Sequence, residues 1–339
     1  MHQSTLAVIG GGVIGLSVAR RAALDGWSVR VHRTEERGAS WVAGGMLAPH
    51  SEGWPGEERL LQIGLESLAL WNERGHGSFL DGLPAEVVTA HESLVVAVDR
   101  ADAQDLKTVA EWLAAQGQPV IPTNSARDVE PLLAQGIRHG FRAETELAVD
   151  NRAMVVALAA HCERLGVKWA PPADSLDDAR DANSVVIANG IDAPKLWPGL
   201  TIRPLKGEVL RLRWRQGCMP VPQRVIRARV HGRQVYLVPR GDGVVVGATQ
   251  YEHGRDTAPA VSGVRDLLDD ACEVMPALGE YELAECAAGL RPATPDNLPL
   301  VGRLDEQTLV AAGHGRSGFL LAPWTADRIA SELKVGVLT

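Results

Sequence analysis

Short apolar runs alternate with segments of helical period along this chain, most clearly in the first forty residues. Leu6-Ala7-Val8-Ile9 is an apolar run ending at Gly10-Gly11-Gly12-Val13-Ile14-Gly15, Leu16 to Leu24 is apolar-periodic, and Val29 to Val31 is a second run. The pattern predicts strand, glycine turn, helix and strand. Here the glycines stand where the turn must be tight and where a helix N-terminus approaches a pyrophosphate, the arrangement of a dinucleotide-binding fold.

Helices are predicted from about Glu57 to Arg74, Ala103 to Gln116 and Arg152 to Leu165, with a strand at Ser93 to Val98. Ser184 to Ala188 is apolar at almost every position, as in a strand covered on both faces, so the parallel sheet resumes late in the chain. Between about Arg203 and Gln250 the period falls to two, at Glu208 to Arg213, Arg227 to Val230, Gln234 to Val238 and Val244 to Ala248, with glycine-containing turns between. A last strand, Thr308 to Ala312, runs into Gly313 to Gly318 and a helix from about Pro323 to Leu333. The expected fold class is α/β, a Rossmann-like dinucleotide-binding domain with an inserted antiparallel-sheet substrate domain. Residues 1–84, 146–204 and 288–339 are assigned to the first and 85–145 and 205–287 to the second.

Composition narrows the function. The chain of 339 residues is 45% hydrophobic and 22% charged, which fits a globular protein and excludes disordered and fibrous classes. A net charge of −8 argues against nucleic acid or an anionic membrane as partner, because both need Lys and Arg in excess on one face. An anionic substrate would need locally placed arginines. Cys162, Cys218, Cys272 and Cys286 are widely spaced with no C-x-x-C pair, so reduced thiols are expected rather than a zinc site or a redox dithiol. The start MHQSTLAVIGGG has no basic leader and no run of membrane-spanning length, and a cytoplasmic location is expected.

Four separated pieces carry a resemblance: VIGGGVIG at the start, AGGMLAPH at Ala43 to His50, AGLRPATPDNLPLVG at Ala288 to Gly302 and AAGHGRSGFLLAP at Ala311 to Pro323. Together they resemble the D-amino-acid oxidase family of flavoproteins over nearly the whole chain, and within it the bacterial branch that oxidises glycine for thiazole formation in thiamine synthesis. The resemblance implies FAD as cofactor, a small amino-acid substrate, O2 as electron acceptor, hydrogen peroxide as product and a homo-oligomer. It implies no catalytic acid or base and no metal. Members that oxidise sarcosine tether their flavin to a cysteine, and no cysteine lies in the C-terminal loop here, so non-covalent FAD is expected.

By the same resemblance Arg291 would grip the substrate carboxylate, since a guanidinium presents two parallel donors to two oxygens. The competing reading is an arginine paired with Asp296 or a backbone carbonyl. Tyr236, one of three tyrosines, would add a hydroxyl, Gln250 would line the pocket, and Arg316 would face substrate or flavin. Gly44, Gly45 and Met46 would lie beside the isoalloxazine, where glycine permits close approach, although Met46 also reads as core filler. His314, Gly315, Arg316, Ser317, Gly318, Phe319 and Leu320 would present backbone N–H groups to the flavin. Gly10, Gly12, Val13, Ile14, Gly15, Ala39, Ser40 and Gly190 complete the expected cofactor contacts.

One position departs from the family pattern. At the end of the second predicted strand, where such folds place an acid against a ribose, the chain has His32, Arg33 and Thr34. Alone, Arg33 points to the 2′-phosphate of NADP. Taken with the resemblance, it points to FAD whose adenosine ribose is held around Arg33 and Thr34, with Glu35 or Glu36 reaching back. Open alternatives are a D-amino-acid or sarcosine oxidase or dehydrogenase and, from another class, a non-catalytic dinucleotide-binding protein.

Overall fold

The structure is a computed structural model describing residues 3–335. Its strands, in chain order, are β1 (Thr5–Ile9), β2 (Ser28–His32), β3 (Met46–Leu47), β4 (Val88–Ala97), β5 (Ile121–Thr123), β6 (Gly140–Val149), β7 (Lys168–Ala170), β8 (Ser184–Ile187), β9 (Arg203–Arg213), β10 (Val225–Val230), β11 (Arg233–Arg240), β12 (Gly243–Gly247), β13 (Glu282–Ala293), β14 (Leu300–Arg303) and β15 (Thr308–Ala312). The helices are α1 (Val13–Leu24), α2 (Ala39–Val42), α3 (Glu58–Asn72), α4 (Arg100–Ala115), α5 (Ala126–Val129), α6 (Asn151–Arg164), α7 (Ala193–Leu196), α8 (Val261–Val274) and α9 (Ala322–Val335).

The apolar runs at Leu6 to Ile9, Ser184 to Ile187 and Thr308 to Ala312 form the centre of a six-stranded sheet in the order β14-β15-β8-β1-β2-β7. All its pairs are parallel except β14 with β15, at one edge. Those three runs are apolar because both sheet faces are covered. On one side Leu6 and Val8 pack with Leu16 and Val18 of α1, Met154 and Leu158 of α6 and Ile329 of α9. On the other, Ala7, Ile9, Val185 and Ile187 meet Ala193 and Leu196.

The segments of period two enter a second, nine-stranded sheet in the order β13-β9-β12-β11-β10-β4-β6-β3, with β5 on β6. Helix α8 covers it, placing Leu267, Ala271 and Val274 on Leu210, Leu237 and Val246. This sheet is not antiparallel throughout, because β4 and β10 run parallel. A parallel neighbour requires a long connection, and the chain passes through the first sheet between these two strands. Strands β9, β6 and β13 also run a few residues past the boundaries drawn at 204, 145 and 287, and β3 lies within the first segment.

The sequence pattern did not show β3, β5, β6, β7, β13 or β14. The helices and strands it did predict are present, with ends displaced by a few residues. Among the described residues no helix is long and apolar enough to cross a membrane.

Helix α3 holds the segment leading into α9. Ser67 Oγ and Trp71 Nε1 both donate to the Leu320 carbonyl, at 2.6 and 2.9 Å, and Trp71 is fully buried. Trp71→Phe keeps most of the apolar volume and removes one donor, so it should lower unfolding stability by about 1–2 kcal/mol. A shift of the urea midpoint at unchanged slope is the expected observation.

Candidate active site

The first sheet reverses its winding between β1 and β8, and crevices at such switch points are where open α/β sheets bind ligands. Gly10 follows β1 with a φ of +131°, and a Cβ there would stand 2.2 Å from the Ala188 carbonyl oxygen. A Cβ on Gly15 would lie 1.9 Å from the Gly10 oxygen. Only glycine permits this turn. It leads into α1 at Gly12, which has no side chain of its own to cap the helix, and no acid lies in the first turn, so the N-terminus suits an anion. Val13 N donates to Ser40 Oγ at 3.1 Å, which brings α2 against the turn, and Ile14 is buried beneath it. Gly190 turns the chain after β8 with a φ of +64°. Beside it the buried Asn189 Oδ1 has no partner among the described residues.

At the end of β2, Arg33 stacks on Trp169, its guanidinium carbon 3.8 Å from the ring centroid. Arg33 has no acidic partner among the described residues. Thr34 Oγ1 accepts from Glu36 N, and Glu35 and Glu36 are exposed.

The loop from Ala39 to Met46 is fixed by groups far away in sequence. Asn151 Nδ2 donates to the carbonyls of Ser40 and Trp41, both at 2.9 Å, and Arg240 Nη2 donates to the Gly44 carbonyl at 2.8 Å. Burial lowers the Arg240 pKa to about 10, with Asp150 opposing, so the guanidinium stays charged at neutral pH. Gly45 needs its φ of +75°, and a Cβ there would strike the Val149 oxygen at 2.1 Å.

Tyr236 of β11 fits a slot made by two glycines. A Cβ on Gly44 would come within 2.9 Å of its ring, and one on Gly247 within 2.3 Å of its hydroxyl. Burial raises the phenol's pKa, partly opposed by the nearby Arg291 charge, so Tyr236 is a neutral phenol at neutral pH. Arg291 of β13 lies against Gly207 of β9, where a Cβ would stand 2.3 Å from Nη2. Nη1 donates to the Thr249 carbonyl at 3.3 Å, and Arg291 has no carboxylate partner among the described residues. Among the described residues Asp296 is not its partner, and the carbonyl it meets is that of Thr249 rather than one before Pro292.

Lys206 and Glu208 flank Gly207 and point to the opposite face of β9. There Glu208 Oε1 accepts from Ala260 N at 2.8 Å, and Glu208 N donates to Thr249 Oγ1 at 3.0 Å, fixing the segment that carries the Thr249 carbonyl. Gln250, expected to line the pocket, is exposed. Its neighbours Thr249 and Tyr251 take the backbone bonds to β9.

Arg316 is ion-paired with Glu57, and Nη2 also reaches the Glu52 carbonyl at 3.4 Å. Burial would lower its pKa, but Glu52 and Glu57 hold it above the ordinary value. Sequence reading missed Glu52, Glu57, Arg227 and Arg240. Arg227 of β10 is 8% exposed, pairs with Glu52 at 2.7 Å and touches Met46 Sδ at 3.6 Å. The Glu52 loop is anchored by Glu146, which is fully buried and accepts from the backbone N–H groups of His50 and Ser51 at 2.8 Å and from Ser51 Oγ at 2.7 Å. No local pattern marks a pairing of residues so far apart in the chain.

The C-terminal loop lies beside the Arg291 strand. Gly315 N donates to the Pro292 carbonyl at 2.8 Å, and Ala293 and His314 form an isolated bridge. His314 Nε2 meets Thr325 Oγ1 at 2.9 Å, while Ser317, Phe319 and Leu320 are buried and Gly318 packs over His314. The structure thus gathers Gly44, Met46, Tyr236, Arg291, Arg316 and the loop from Gly313 around one region next to the crevice, with Arg33 and Thr34 at its far end.

Comparison with known proteins bears on this geometry. Residues 5–332 match the model of the family described as FAD dependent oxidoreductase, DAO. A protein of Synechocystis sp. named bifunctional protein ThiO/ThiG is 31% identical over 355 residues, covering 96% of this chain and 51% of that protein. The chain therefore spans about half the length of such bifunctional relatives. A glycine oxidase of Bacillus licheniformis is 31% identical over 359 residues, covering 96% of this chain and 92% of its own. The crystal structure of glycine oxidase from Geobacillus kaustophilus superposes with a TM-score of 0.85 at 26% identity, covering 99% of this chain and 95% of that one.

Burial lowers the His314 pKa from 6.5 to about 3. Below pH 6.5 the unfolded chain takes up a proton that the folded chain refuses, so this contribution is complete above pH 6.5 and is lost as the pH falls toward 3. At about 1.4 kcal/mol per pH unit, the protein should lose roughly 2 kcal/mol by pH 5 through this residue. His314→Gln should flatten the unfolding free energy between pH 6.5 and 5, measured by denaturant titration at each pH.

Proposed function

The chain belongs to the DAO family of FAD-dependent oxidoreductases, and we propose that it catalyses the oxidative deamination of glycine, or of another small amino acid, with O2 as the acceptor. The substrate leaves as its imine, which hydrolyses to glyoxylate and ammonia, and O2 leaves as hydrogen peroxide. The imine would serve the thiazole branch of thiamine biosynthesis. The name glycine oxidase supports the substrate, and that of a 32% identical protein of Rhizobium etli, putative thiamine biosynthesis oxidoreductase ThiO, supports the pathway. The carrying observation is the pairing of Arg291, a cation without a carboxylate partner among the described residues, with a Tyr236 hydroxyl lodged between Gly44 and Gly247.

The residues fit FAD. The turn from Gly10 to Gly15 has the closeness only glycine allows, and the unpartnered Asn189 Oδ1 belongs to the residue that meets Gly10 at the crevice. In this reading the turn and Ser40 hold the pyrophosphate, Arg33 and Thr34 the adenosine end, and Gly44, Gly45, Met46 and the loop from His314 to Leu320 the isoalloxazine, with no covalent bond. Bound FAD supplies the acceptor for the two electrons and the hydrogen that leave the substrate Cα.

The chain itself binds and orients. Arg291 takes the substrate carboxylate through two parallel N–H donors, and Tyr236 adds an O–H donor from β11. Together they fix the carboxylate and with it the direction of the Cα–H bond. Glu52 is engaged by Arg227, so the ammonium proton passes to water rather than to a side chain.

Purified protein should be yellow, should give up its colour to the supernatant on acid precipitation, and should release peroxide when glycine is added in air. Parallel additions of sarcosine and D-alanine rank the substrates. Arg291→Met should keep the bound flavin and lose about 10- to 150-fold in kcat/KM, the size of a hydrogen bond to a charged group. A colourless protein, or a flavin that none of the three amines reduces, would overturn this function.

A further inference from the structure

Four guanidinium groups surround the region next to Tyr236, and three already have a carboxylate partner. Arg227 pairs with Glu52 at 2.7 Å, Arg240 with Asp150 at 3.5 Å, and Arg316 with Glu57. Only Arg291 has none among the described residues. The region therefore holds one uncompensated positive charge, enough for one substrate carboxylate.

We propose that the Glu52–Arg227 pair is a specificity filter that confines the site to amines bearing a single carboxylate, and that Arg227 without Glu52 becomes a second anion-binding position. This deepens the function proposed above and rests on it. Arg227 and Tyr236 are register partners on adjacent antiparallel strands, so their side chains leave the same face of the sheet. Besides Glu52, Arg227 has among the described residues only weaker polar neighbours, Met46 Sδ at 3.6 Å and Gln234 Oε1 at 3.4 Å. The partner is held in place, because the anchoring of the His50–Ser51 segment on buried Glu146 leaves Glu52 directed at Arg227.

A second carboxylate on the substrate, on the side chain or the nitrogen, reaches Arg227 only by displacing Glu52. That strands a carboxylate whose side chain is 15% exposed, and leaving one partner of a buried pair uncompensated is strongly unfavourable. Glycine, sarcosine and D-alanine make no such demand. Iminodiacetate and D-aspartate do.

The test is calorimetric titration of the flavin-loaded protein with acetate and with malonate, succinate and glutarate, whose two carboxylates are spaced by one, two and three methylenes. None of these is an amine, so no turnover intervenes. Wild type should bind acetate at least as tightly as any of the three. Glu52→Gln should bind at least one dicarboxylate about ten-fold or more tightly relative to acetate, and adding Arg227→Met should abolish that gain. A wild type that prefers a dicarboxylate by ten-fold, a Glu52→Gln protein with no switch, or a gain surviving in the double variant would each overturn the filter. Should Glu52→Gln not fold, the wild-type series still decides. A wild type that oxidises no amine would remove the proposed reaction while leaving these titrations to judge the filter separately.

Discussion

The architecture of the site depends on the Arg240 guanidinium, a buried cation where three parts of the chain meet. It donates to the Gly44 and Pro239 carbonyls and to Asn151 Oδ1, and lies 3.5 Å from Asp150. Asn151 in turn holds the Ser40 and Trp41 carbonyls, and Ser40 Oγ receives the N–H of Val13 at the start of α1. A connected set of hydrogen bonds therefore runs from the second sheet to the first turn of the first sheet. A charge so deep is tolerable only because all these acceptors converge on it, and the loop from Ala39 to Met46 is correspondingly fixed.

Around that framework the site is shaped by absent side chains as much as by present ones. Gly44 and Gly247 leave the slot for Tyr236, Gly207 the flat wall for Arg291, and Gly263 the room for the Glu208 carboxylate. The glycines that need a left-handed φ, Gly10 and Gly45, stand where backbone segments from different strands pass within contact of one another. These pockets form in a packed interior and demand tight side-chain placement, which ordered donors and acceptors provide.

How much was legible in the sequence follows from the range of the signal. The β1–α1–β2 unit was readable because its apolar period and its glycines lie within thirty residues. Arg291 was readable through the GLRP motif in a chain otherwise sparing in such patterns. Strands β6 and β13 were not, because their pairings contain register shifts at Val88/Ala90, His91/Ser93 and Leu283/Glu285, and β13 is half-buried along most of its length, which erases the two-residue period. Arg227, Glu52, Glu146 and Arg240 left no local trace, since each draws its meaning from a partner more than eighty residues away. Arg33 was readable as an anomaly, and the structure supplies Trp169 as its support, a residue no motif connects to it.

The bond from Gly315 N to the Pro292 carbonyl carries a thermodynamic consequence. It joins the residue next to the Arg291 clamp to the loop expected to meet the cofactor, so ordering either segment restrains the other. For the sites proposed above this means heterotropic linkage: occupancy at one position would alter affinity at the other, by reciprocity with the same factor in both directions. If the proposed roles hold, part of the substrate affinity is stored in how tightly the cofactor is held.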